Sequence, residues 1–163
     1  MKHFSKFNDL LMVLIKWGAI GLFVIMLFAA SWQIVMRFIF KSPLAWSDEV
    51  AKFAFVWSTM LGCAYLVRTK GHSSVEIMAS YLKGISRKFH AVLIDLLCLL
   101  VYIVIVTGGI SMMQAGATSV SPACGLPMAV IYFVVPLSGF FMCLFELEIL
   151  MGDLVQMHKK EAE

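Results

Sequence analysis

Between Asp95 and Glu146 the chain has no charged residue. A water-soluble fold cannot leave a stretch of that length without charge. Across the 163 residues only 14% are charged and 61% are hydrophobic. Soluble domains run at about 25% charged and 45–50% apolar. An ordinary soluble domain is therefore excluded. The net charge of +3 is too small to point to nucleic acid, so the basic residues are read as topology signals.

Reactive side chains are also scarce. The four cysteines are Cys63, Cys98, Cys124 and Cys143, and no two form a CxxC pair. Three lie inside apolar runs, where a thiol behaves as a small hydrophobe. Cys124 lies in a loop without a neighbouring thiol, which excludes a stable internal disulfide and the chemistry of a thiol oxidase. The histidines His3, His72, His90 and His158 fall at ends or in loops, whereas a membrane haem anchor needs histidines facing each other inside a bundle. The first apolar run holds no acid, which argues against a small proton-coupled drug exporter. No Ser/His/Asp set, metal-ligand cluster or phosphate loop occurs. These absences point away from an enzyme and from any cofactor.

What the chain does have is four apolar runs. Crossing the hydrocarbon core takes roughly 20 apolar residues in a helix. The runs predict spans over about 12–38, 47–68, 89–113 and 126–150. Together they make one domain over 1–163, an all-α integral membrane protein of four transmembrane helices. The first run is longer than the usual signal-peptide core of about 7–15 residues. Ala29-Ala30-Ser31 resembles a cleavage site only weakly, so the first helix is expected to be retained.

Ten basic residues fall at the two termini and in the second connection, and three on the opposite side: Arg37, Lys41 and Lys52. Loops rich in Lys and Arg stay in the cytoplasm. Both termini are therefore expected inside. Between the second and third spans, Val75, Met78, Leu82, Ile85 and Phe89 recur at steps of three and four. That spacing predicts an amphipathic cytoplasmic segment, with Gly84 ending or bending it. Its apolar stripe suits a lipid surface or a partner subunit.

The stretch SPLAWSDEVAKFAFVW (Ser42 to Trp57) places charge at the start of a membrane helix. Ser47 is expected to cap that helix, with Asp48 and Glu49 in its first turn, where the helix dipole favours carboxylates. Asp48 and Lys52 stand at i and i+4, which supports the same turn. Trp46 and Trp57 bracket the region, and Trp favours membrane interfaces. Acids beside a short span are costly unless they meet water or a partner, so Trp46, Asp48, Glu49 and Trp57 are candidate partner contacts.

Asp95 reads as the only acid well inside a span. Two readings stay open for it: a coupling residue, or a polar tie between helices. Pro127 fits the first turn of the fourth helix. Pro136 falls inside that helix and deprives the Tyr132 carbonyl of its intrahelical donor. It is either a packed kink or a hinge.

The stretch AWSDEVAKFAFVWSTMLGCAYLVRTKGHSSVEIMASYL resembles the signature of the small, DctQ-like membrane subunit of tripartite ATP-independent periplasmic (TRAP) transporters. The matching residues are Trp46, Ser47, Asp48, Glu49, Trp57, Gly62, Arg68, Gly71, His72, Val75 and Glu76. Ser73-Ser74 stands where the family usually has an apolar residue, and Glu76 where Asp is commoner. SPACGLPMAVIYFVVPLSG, with Pro127, Tyr132 and Pro136, is similar to the family's second signature.

The resemblance implies a bacterial inner-membrane protein that braces a large membrane subunit. That subunit carries the sodium and substrate sites, and a periplasmic solute-binding protein delivers an organic acid of the C4-dicarboxylate or sialic acid type. It adds Arg68 and His72 to the candidate partner contacts. The competing expectation is a self-associating four-span channel or exporter, which would need polar residues along a path.

Overall fold

The computed structural model describes residues 2–42, 44–69 and 85–160. The described residues form five α-helices: α1 (Lys2–Phe38), α2 (Ala45–Arg68), α3 (Ile85–Gly116), α4 (Met128–Tyr132) and α5 (Val134–Lys160). Four stretches are long and apolar enough to cross a membrane: Asn8–Phe38, Ala45–Arg68, Val92–Gly116 and Met128–Gly152. The last combines α4 and α5. Most of the amphipathic segment expected after α2, together with His72, lies outside the described residues; Ile85 to Phe89 form the first turn of α3.

The helices stand in an open row in the order α1, α2, α5, α3. Among the described residues α3 touches neither α1 nor α2, and α1 meets α5 only weakly. Burial follows position in the row. In the last span 39% of the most apolar stretch is buried, against 6% in the first. The core runs along the row: Ile15 from α1, Leu61, Ala64 and Val67 from α2, Val134, Met142 and Phe145 from α5, and Tyr102 from α3.

Pro136 breaks the fourth span where its chemistry requires. A ring nitrogen cannot donate to Tyr132, so α4 stops at Tyr132 and α5 begins at Val134. The chain stays continuous because the Phe133 N–H donates to Ala129 at 3.0 Å and the Leu137 N–H to Phe133 at 3.2 Å. Pro127 is the N-cap of α4, extended at φ −60° and ψ 128°, one residue earlier than the sequence suggested.

Candidate functional site

Two bonded polar groups stand at opposite ends of the helices. One end carries the α1–α2 and α3–α4 connections. The other carries the start of α1 and the last turns of α5.

At the connection end, α2 begins differently from expectation. Leu44 is its N-cap and offers no side-chain hydrogen bond. Ser47 is not the cap. It lies one turn further in, fully buried, and its hydroxyl donates to the Ala29 carbonyl of α1 at 2.8 Å. A hydroxyl buried between two helices needs such an acceptor, and α1 supplies one. Asp48 falls in the first turn and pairs with Lys52, as their spacing implies. Glu49 follows it and faces elsewhere.

The uncharged loop between α3 and α4 folds back on itself. Val120 and Pro127 pair as an antiparallel bridge. The Ser121 N–H donates to Leu126 at 2.9 Å, and the Gly125 N–H to Ser121 at 3.0 Å. Gly125 adopts φ +65°, a left-handed conformation that glycine enters without steric cost. This fold turns three donors toward Glu49. The Ala123 N–H reaches Oε1 at 3.0 Å, the Cys124 N–H reaches Oε2 at 2.8 Å, and the Ser121 hydroxyl donates to Oε2. Successive N–H groups in a turn form an anion nest, and here the anion is a carboxylate of the same chain. The Cys124 thiol points to the Trp46 carbonyl at 3.8 Å. Burial pushes that thiol above its ordinary range, and the Glu49 carboxylate adds to the effect.

At the terminal end a second polar group joins three helices. Arg68 of α2 donates through Nη2 to Asp9 of α1 at 2.7 Å and lies 3.2 Å from Glu148 of α5. The fully buried Asn8 donates through Nδ2 to the other Glu148 oxygen at 2.6 Å. The Arg68 and Glu148 side chains are 17% and 18% exposed, so this group is shielded more than a surface pair.

Asp95 is not the only acid inside a span. Glu146 lies in the interior of α5 and is 2% exposed, and the apolar run continues past it through Leu147, Ile149 and Leu150. Both acids lie within electrostatic reach of Cys98 on α3, and Glu146 reaches Tyr102 as well. The face shared by α3 and α5 thus carries carboxyl, thiol and phenol groups together.

The residues singled out from the sequence do not form one patch. Trp46, Asp48 and Glu49 sit at the connection end, and Arg68 at the terminal end. Trp57 packs against the core between them. Glu49 and Arg68 both bind within the chain. Sequence reasoning missed their partners, Ser121, Asp9, Asn8 and Glu148. The one available hint was an uncharged, small-residue loop able to bring backbone donors to a nearby acid.

The family described as tripartite ATP-independent periplasmic transporters, DctQ component, matches residues 26–156. The sialic acid TRAP transporter small permease protein SiaQ of Vibrio cholerae is 23% identical over 79% of this chain and 75% of its own length. The C4-dicarboxylate TRAP transporter small permease protein DctQ of Rhodobacter capsulatus is 30% identical over 67% of this chain and 49% of its own length. The sialic acid TRAP transporter permease protein SiaT of Haemophilus influenzae is 26% identical over 87% of this chain but only 22% of its own. In that relative, then, the matching unit is one part of a much longer polypeptide. A match over residues 26–156 takes in the second part of the first apolar helix and the other three spans whole: this chain belongs to the DctQ component family of TRAP transporters, a transport subunit and not an enzyme.

Proposed function

We propose that this small permease subunit is a brace for a large membrane subunit. The transporter takes up an organic acid, of the C4-dicarboxylate or sialic acid type, from a periplasmic binding protein, driven by sodium. The chain lies in the bacterial inner membrane with both termini in the cytoplasm. One observation carries the brace reading: at each end of the helices a polar group ties separate elements of the chain together. Glu49 ties α2 to the α3–α4 loop, and Arg68 with Asn8 ties α1, α2 and α5. Polar groups committed to internal contacts hold a shape and leave an apolar exterior for a membrane neighbour. The SiaT relative supports a large partner, since the matching unit there occupies only 22% of the chain. The choice of substrate class rests on the names of relatives.

The test is co-purification followed by uptake. The chain expressed with the large permease subunit should be recovered with it at fixed stoichiometry. The reconstituted pair plus binding protein should take up an organic acid only with an inward sodium gradient. Recovery of this chain only with copies of itself would favour the channel reading instead.

A further inference from the structure

We infer that Glu49 is a positioning residue for transport: it sets the shape of the loop between α3 and α4, and that shape is needed for substrate uptake after the complex has assembled. This rests on the transport reading above and adds a residue and a mechanism to it.

Three observations converge. First, the loop from Ala117 to Pro127 contains no charged residue and no regular helix or strand. Its own bonds are a single bridge and a few turn contacts. Loops held by so few backbone bonds open easily unless something else holds them. Second, the additional hold is Glu49, which takes the Ala123 and Cys124 amides at 3.0 and 2.8 Å and the Ser121 hydroxyl as well. Bonds to a charged acceptor are the strong class. Third, the loop presents Val120 and Leu126 to the outside, at 60% and 45% exposure, beside Trp46 at 48%. The Glu49 carboxylate is half-buried and bound to the nest on both oxygens. The loop, more than the acid, is therefore the surface offered to a partner.

The chemistry makes a sharp variant available. A glutamine at this position has one oxygen and an NH2 group. Its oxygen can keep the Ser121 hydroxyl and the Cys124 N–H, but its NH2 then faces the Ala123 N–H, donor against donor. Glu49→Gln thus disturbs the nest with almost no change of volume. Ser121→Ala removes one donor, leaves both backbone bonds, and serves as the milder variant.

The experiment has two arms. In the first, hydrogen exchange is measured by mass spectrometry on the purified chain, following peptides that cover residues 117–127. Glu49→Gln should speed exchange there by about tenfold or more, the size expected when a charge-assisted network is cut. Ser121→Ala should have a smaller effect, and the double variant should depart from the sum of the two, because residues of one network are coupled. In the second arm, the complex with the large subunit is reconstituted and uptake is measured with binding protein present. Glu49→Gln should lower uptake clearly below wild type, while the large subunit still co-purifies.

Unchanged loop exchange in Glu49→Gln would overturn the inference. So would faster exchange with wild-type uptake, or loss of the large subunit in both variants, which would mark a role in folding alone. A wild-type complex that takes up no organic acid would sink the transport reading, and the inferred role in uptake with it. The exchange arm would still decide whether Glu49 holds the loop.

Discussion

Gly109 of α3 lies directly against Pro136 of α5: a Cβ built on Gly109 would stand 2.7 Å from both Cδ and the backbone nitrogen of Pro136. The kink and the glycine are one fitted contact. Gly109→Ala is expected to destabilise the protein by about 1–3 kcal/mol, the usual cost of overpacking. Pro136→Ala should be milder, because it restores a donor for Tyr132 and removes ring atoms. The pair should be coupled, with Pro136→Ala relieving part of the Gly109→Ala defect. Thermal unfolding in detergent of both single variants and the double variant checks this. Strict additivity would show that the contact is not limiting.

Arg68 holds Asp9 and Glu148 from two other helices. Removing it leaves Glu148 paired only with Asn8. Arg68→Ala should cost about 1.5–3 kcal/mol, the range for hydrogen bonds to charged groups. Arg68→Lys should recover part, because a single nitrogen, Nη2, makes both contacts and an ammonium can stand in its place, but on a flexible stem without the guanidinium's fixed orientation. Chemical denaturation of the purified chain reads both. An Arg68→Lys variant as stable as wild type would mean that charge alone suffices.

Ser47 donates to Ala29 from a fully buried position. Ser47→Ala should cost about 0.5–1.5 kcal/mol, the net value of one hydrogen bond. Ser47→Asp, which would serve as well as Ser if this were a helix cap, should be far worse, since it would bury a carboxylate against α1. Equal stability of the Ser and Asp forms, measured by unfolding, would restore the capping role.

The distribution of Lys and Arg also fixes an expected orientation. Reporter fusions at residues 72 and 160 should be cytoplasmic, and fusions at 44 and 120 periplasmic. A cytoplasmic reporter at residue 120 would reverse the placement of the Glu49 loop and remove it from the side on which a binding protein works.

Much of this architecture was legible in the residues. The four spans follow from hydropathy, and the interruption at Phe133 follows from the missing N–H of Pro136. The i, i+4 pair of Asp48 and Lys52 is local and could be read directly. Contacts between distant segments could not. Ser47 looks like a cap because Ser favours that position, yet tertiary packing gives its hydroxyl to Ala29. Glu49 and its loop donors are 72 to 75 residues apart, and no periodicity links them. From the sequence Asp95 is the only acid well inside a span, yet Glu146, close to the end of the fourth run, is buried as well. Its burial depends on which face α5 turns to α3, and that is set by packing of whole helices.

The open row has a consequence for how much bilayer this small chain occupies. Packed helices sit 8–10 Å apart. Four in a row therefore span about 25–30 Å between the outermost axes, at a thickness near one helix diameter of about 10–12 Å. The same helices closed into a square would be roughly half as wide. The chain is built like a plank on edge, with two broad sides and little interior. Fixed along one side of the large subunit, as proposed above, such a plank would widen the footprint of the assembly and lengthen its boundary with lipid. Tilting the assembly would then displace more acyl chains, and the bilayer itself would be the anchor against which it pushes.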